Sequence, residues 1–170
     1  MNRDVAASSA SPGPARKIPG TITTVHRYEL PLPREEVWRL ISEVSQYRTW
    51  WPWLRVFDAT ALASGEEWRC EVQPPVPYLV RFRVAIEEVE PAVLVRASVG
   101  GDVVGVATLR FSDTDEGCTA TLDSSLAPGN RALRVVSRFA GPIARFGHDW
   151  VLDSGARQFI TRAVEPLVGD

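Results

Sequence analysis

Residues that usually carry chemistry are scarce in this chain: two cysteines, two histidines and one methionine among 170 positions. Cys70 and Cys118 could close at most one disulfide, too few to staple a small secreted scaffold, and their separation matches no metal-ligand spacing. They read as reduced, small core residues. His26 and His148 fall in different predicted elements, so a three-ligand zinc site would need carboxylates that no motif supplies. No glycine-rich phosphate loop follows a strand, since Gly100-Gly101 reads as a two-residue hairpin turn. Neither a metal nor a cofactor is expected. An excess of positive charge is also missing: 19 Lys and Arg stand against 21 Asp and Glu, a formal charge of −2. Such a balance gives no field to hold a phosphate backbone, which argues against nucleic acid. There is no apolar run of about 18 residues, and the opening segment lacks the apolar core of a signal peptide. Stable membrane insertion is therefore not expected, and a soluble, cytoplasmic protein is.

What is present is ordinary globular material, 45% apolar and 24% charged, enough for one core in a chain of this length. Residues 1–19 are dense in Ala, Ser, Pro and Gly and cannot bury enough side chain to offset the entropy of ordering; a disordered tail is expected there, followed by a single domain over 20–170. From Thr21 the sequence turns β-rich. In TITTVHRYEL, residues Ile22, Thr24, His26, Tyr28 and Leu30 share one face of a predicted strand. Pro31 and Pro33 end it, and Pro33 with Glu35 and Glu36 suits the first turn of a helix over about Arg34–Ser42. A second short helical turn follows, over roughly Val44–Trp50. Six segments then alternate as strands between Leu54 and Leu126, separated by Ser64-Gly65, Pro74-Pro75, Pro91, Gly100-Gly101 and Asp115-Gly117. From Asn130 the period becomes 3.6, and a long helix over most of Arg131–Val164 is predicted, with a kink or break at Gly141-Pro142. The order implies an α+β fold: a seven-stranded curved antiparallel sheet wrapped round a long C-terminal helix, with two short helices after strand 1.

The segment YELPLPREEVWRLISEVSQYRTWWPWL resembles the opening of the START-like (SRPBCC) superfamily, the helix-grip fold, and within it the polyketide cyclase/dehydratase and lipid-transport group. The likeness rests on Pro33, Val37, Trp38, Tyr47, Trp51 and Pro52. HDWVLDSGARQF is in turn similar to the closing helix of many bacterial members, and the resemblance covers roughly residues 21–166. It implies an internal apolar cavity between the sheet and the long helix. It names no occupant, because this architecture serves carriers, receptors and ring-closing enzymes alike.

Candidate site residues follow from parity and helical angle. Trp68 and Cys70 on one strand, Val84 on the next, and Leu122 and Ser124 on the last are expected as cavity walls, with Ser124 a polar contact. Phe146, Trp150, Asp153 and Arg157 fall within one helical stripe and are expected to face the same cavity, where Arg157 could anchor a carboxylate or enolate oxygen. The alternative for Asp153 and Arg157 is a surface ion pair at i, i+4 spacing. His26 and Tyr28, an imidazole beside a phenol on the inward face, could perform acid and base work on a polyketone. The competing reading makes them amphipathic residues at the cavity edge. Trp51 reads as a core and turn residue, while Trp50 and Trp53 could equally form a lid. The expected function is binding of a hydrophobic small molecule, a polyketide, lipid or isoprenoid; the alternative is a polyketide cyclase or dehydratase.

Overall fold

The computed structural model describes residues 20–75, 78–130 and 149–168 with their side chains, and residues 141–148 as backbone. The expected tail over 1–19, the first part of the expected helix over 131–140, and the side chains of Phe146 and His148 lie outside the described residues.

β1 (Ile22–Leu30) alternates in burial along its whole length, with Ile22, Thr24, His26, Tyr28 and Leu30 on the covered face. It leads through Pro33 into α1 (Arg34–Ser42), whose Glu35 and Glu36 sit at the positive end of the helix and whose Val37 and Leu40 are buried. A 3₁₀ turn (Val44–Gln46) runs directly into α2 (Tyr47–Trp50), which buries Tyr47 and Trp50. The strands that follow are β2 (Leu54–Asp58), β3 (Glu67–Val72), β4 (Val80–Glu90), β5 (Leu94–Gly101), β6 (Val103–Thr114) and β7 (Gly117–Pro128). They form one seven-stranded sheet in the order β1-β7-β6-β5-β4-β3-β2, antiparallel at every junction. Strands β2 to β7 thus form a meander, and β1 closes on its far edge, with Ile22 opposite Leu126 and Leu30 opposite Cys118.

Local departures from simple alternation shape the sheet, one of them between Leu54 and Val56 of β2. Glu87 is the extra residue of a β-bulge in β4, where Ile86 faces Ala97 but Glu88 already faces Arg96. The bulge resets the parity, so Ile86 and Val89 both turn inward while Glu87 and Glu88 are exposed. The hairpin between β5 and β6 also differs from the expected two-residue turn. Gly100 and Gly101 continue β5 opposite Arg83 and Phe82, and the bend is displaced onto Asp102. Asp102 holds it there, its carboxylate accepting from the Arg81 amide at 2.9 Å and from Asn130 Nδ2 at 2.7 Å.

The outer face of the sheet is wet and carries cross-strand ion pairs, among them Arg81–Glu71 at 2.6 Å and Arg96–Glu88 and Arg110–Asp123, both at 2.5 Å. Each such exposed pair contributes little to stability. Over the inner face lies α3 (Gly141–Phe159), which passes through a π-helical turn (Ile160–Val164) into α4 (Glu165–Val168). Phe159, Ala163 and Val164 of this helix join Val37, Tyr47, Trp50, Leu54 and Cys118 in the main core. No helix among the described residues is long and apolar enough to cross a membrane.

Candidate ligand cavity

Between the sheet and the long helix the core is incomplete, leaving a cavity of about 280 Å³. That is just under the range of about 300–1,000 Å³ usual for small-molecule sites, so a compact occupant is indicated. The inward positions of the strands explain the void. Ala97 on β5, Ala107 on β6 and Ala120 on β7 all face it, and none is long enough to reach the helix opposite. Larger residues complete the walls: Trp68 on β3, Val84 and Ile86 on β4, Leu109 and Phe111 on β6, and Leu122 on β7. Val37 and Ile41 of α1 close one side, and Ala156, Phe159 and Ile160 form the helical wall.

Among the residues lining the cavity, only Tyr28, Tyr47, Trp51 and Trp68 carry a polar side-chain group. Tyr47 Oη donates to the Ile41 carbonyl at 2.6 Å, Trp51 Nε1 to the Gly155 carbonyl at 2.8 Å and Trp68 Nε1 to the Ala61 carbonyl at 2.9 Å. Tyr28 Oη is buried and has no hydrogen-bond partner among the described residues. Burial, and secondarily the nearby Asp153 carboxylate, push its phenol up to about 12, so it is a protonated donor at neutral pH.

The candidates read from sequence separate into distinct surroundings. Trp68, Val84 and Leu122 stand in the cavity wall. Cys70 is buried in the main core instead, and burial raises its thiol to about 12, which keeps it protonated and unreactive. Ser124 is not among the described residues of the wall: its hydroxyl is buried and lies 2.9 Å from Thr24 Oγ1. Tyr28 of β1 holds the polar position instead. Trp150 packs its edge on Trp53, with ring centroids 6.3 Å apart, and is not part of the wall.

Asp153 and Arg157 are both exposed. The expected stripe was phased on Phe146 and Trp150, seven residues before Asp153 and Arg157, and Trp150 packs on Trp53 instead of standing in the wall. The wall is made by Ala156, Phe159 and Ile160, and Arg157 lies about 100° round the helix from Ala156. Nor do the two charges pair with each other. Arg157 donates to Ser154 Oγ at 3.3 Å, while Asp153 Oδ1 lies 3.8 Å from His26 Nδ1. His26, with 22% of its side chain accessible, stacks beside Tyr28, the ring centroids 6.2 Å apart and the planes 14° from parallel. The three residues form a line from the surface at Asp153, through His26, to the phenol in the cavity.

The tryptophans after α1 were legible only as part of a motif. Trp51 and Trp53 are a clasp on the long helix, the latter donating to Gln158 Oε1 at 3.0 Å, and Trp50 is buried against Phe159. A membrane-touching lid would present these indoles to solvent, whereas here the N–H groups of Trp51 and Trp53 are committed to α3. Among the described residues no group of three or more His, Cys, Asp or Glu side chains could hold a metal ion.

Several solved structures share this architecture. A Rhizobium leguminosarum protein is 15% identical, with 84% of this chain and 96% of that chain covered at a TM-score of 0.61. TTHA0849 from Thermus thermophilus is 14% identical, with coverage of 84% and 99% and a TM-score of 0.62. Ara h 8.0201 is 8% identical, with coverage of 84% and 99% and a TM-score of 0.55. At such identities the likeness establishes the helix-grip fold and nothing finer. No curated protein matches the chain. Residues 21–164, from the start of β1 to the end of the π-helical turn, match the family described as polyketide cyclase / dehydrase and lipid transport, and the chain belongs to that family.

Proposed function

We propose that the protein binds a compact hydrophobic molecule, of polyketide, isoprenoid or lipid character, in the cavity between sheet and long helix. The observation that carries this reading is the wall itself, in which strand alanines leave room and every polar group but one is already satisfied by the protein. An apolar space of this kind favours an apolar occupant, because transfer from water gains roughly 25 cal/mol for each Å² of apolar surface buried. Membership of a cyclase and lipid-transport family agrees with it.

The test is a fluorescence titration with 2-acetylnaphthalene, alongside native mass spectrometry and organic extraction of the purified protein. Uptake of one equivalent is expected, and Ala107→Leu, which adds three carbons inside the cavity, should weaken it at least tenfold. Failure of the native protein to take up the ligand, or uptake indifferent to Ala107→Leu, would refute the assignment.

A second reading, acid/base turnover of a bound polyketone, is favoured by the line Asp153–His26–Tyr28. In it Asp153 would favour the protonated form of His26, which acts as base at the cavity's edge, while Tyr28 polarises a carbonyl. His26→Ala should then abolish turnover while leaving binding nearly intact; turnover that persists in this variant would dismiss the reading.

A further inference from the structure

Among the described residues of the cavity wall, Tyr28 Oη is the one side-chain polar atom without a hydrogen-bond partner. A phenol buried in apolar surroundings is normally bonded, because leaving a buried donor unmade forfeits its hydration without return. The other three polar groups of the wall each find a backbone carbonyl. Here the hydroxyl belongs to an inward position of β1, opposite Ala120, where no neighbouring polar group reaches it. Charge is distributed just as selectively. Among the described residues, no Lys, Arg, Asp, Glu or His belongs to the wall. The charge felt at the phenol is the Asp153 carboxylate, and the cation nearest to it along the helix, Arg157, is exposed and turned to Ser154. An anionic head group would therefore lose its hydration, meet no cation among the described residues of the wall and approach a like charge.

We infer that the ligand is a neutral, compact hydrophobic molecule bearing one hydrogen-bonding oxygen, a ketone or an alcohol, and that Tyr28 donates its phenolic proton to that oxygen. This rests on the reading that the cavity holds a hydrophobic ligand, and it narrows that reading by excluding carboxylates such as fatty acids. It also fixes the ligand's orientation, since the oxygen must lie at the β1 side of the cavity and the hydrocarbon toward Trp68 and Val84. The phenol remains protonated across the physiological range and so keeps its donor role.

Three probes of one shape separate the possibilities: 2-acetylnaphthalene, its oxygen-free analogue 2-ethylnaphthalene, and 2-naphthoate. Each is titrated into the full-length protein and into Tyr28→Phe. Tyr28→Phe should weaken the ketone about five- to tenfold, the size of one hydrogen bond, and leave the hydrocarbon within about twofold. Naphthoate should bind at least tenfold more weakly than the ketone. As a check that needs no variant, the infrared carbonyl stretch of the bound ketone should move to lower wavenumber than in a hydrocarbon solvent. Equal effects of Tyr28→Phe on ketone and hydrocarbon, or an unshifted carbonyl stretch, would overturn the role of Tyr28 while leaving the cavity a binding site. Naphthoate binding as tightly as the ketone would overturn the neutral-ligand assignment. If none of the three binds, the cavity reading falls, and this inference with it.

Discussion

Trp51 donates its indole N–H to the backbone carbonyl of Gly155 at 2.8 Å, joining residues 104 positions apart. The bond ties the turn after α2 to the middle of the long helix, beside the helical wall of the cavity. Trp53 repeats the tie one turn further on, through Gln158.

Loss of the first tie should loosen the helix without opening a large void. Trp51→Phe keeps an aromatic ring among Tyr47, Trp53 and Phe159 but removes the donor. A loss of about 1–2 kcal/mol is expected from denaturant unfolding, together with faster amide exchange over residues 151–160. Exchange rates unchanged there would show that the clasp does not restrain the helix.

Trp38 and Trp150 should differ in their contribution. Trp38 packs against both hydrophobic clusters and sets its edge on Phe111, with ring centroids 6.3 Å apart. Trp150 meets Trp53 on the far side of the clasp. Both are only partly buried, so Trp38→Ala should cost about 2–4 kcal/mol and Trp150→Ala about 1 kcal/mol, below the 3–5 kcal/mol of fully buried aromatics. Urea midpoints of the two variants give the comparison.

Alkaline pH should destabilise the fold. Burial raises the Cys70 thiol from 9.0 to about 12 and the Tyr28 phenol from 10.0 to about 12, raises the Cys118 thiol to about 11 with help from Asp113, and pushes Tyr47 up as well. In each case the folded state holds its proton more tightly than the unfolded chain. Their stabilisation is therefore complete below about pH 9 and is lost as pH rises through the folded values, between about 9 and 12. Denaturant midpoints at pH 8 and pH 10.5 should fall in that order. Tyr28→Phe should flatten part of the slope and, by removing an unbonded buried hydroxyl, raise stability at pH 7 by up to about 1 kcal/mol.

Deleting residues 1–19 should leave the melting temperature nearly unchanged, because a segment of Ala, Ser, Pro and Gly offers little surface to pack. A drop of several degrees on calorimetry would assign the segment a place in the fold.

Order and pairing of the elements were legible in the sequence because they depend on local period and punctuation. Alternation in TITTVHRYEL, the Pro31 and Pro33 stop, and turn residues between six β-rich segments were enough to place seven antiparallel strands and the short helices after the first. Strand parity also brought His26 and Tyr28 to the inward face, and Trp68, Val84 and Leu122 to the wall. What depends on distance in space was not legible. Ser124 and Tyr28 share the inner face, yet only the tertiary structure gives Ser124 a partner in Thr24 and leaves Tyr28 Oη without one. Arg157 and Asp153 were misplaced because the helix was phased on Trp150, and only the tertiary structure sets that indole on Trp53 and turns Ala156, Phe159 and Ile160 to the sheet. The cavity lies between these cases. Its small inward residues Ala97, Ala107 and Ala120 are written in the strands, but whether opposing side chains fill the room they leave is decided only when the long helix settles on the sheet. That settling depends on contacts such as Trp51 to Gly155, which sequence separation hides.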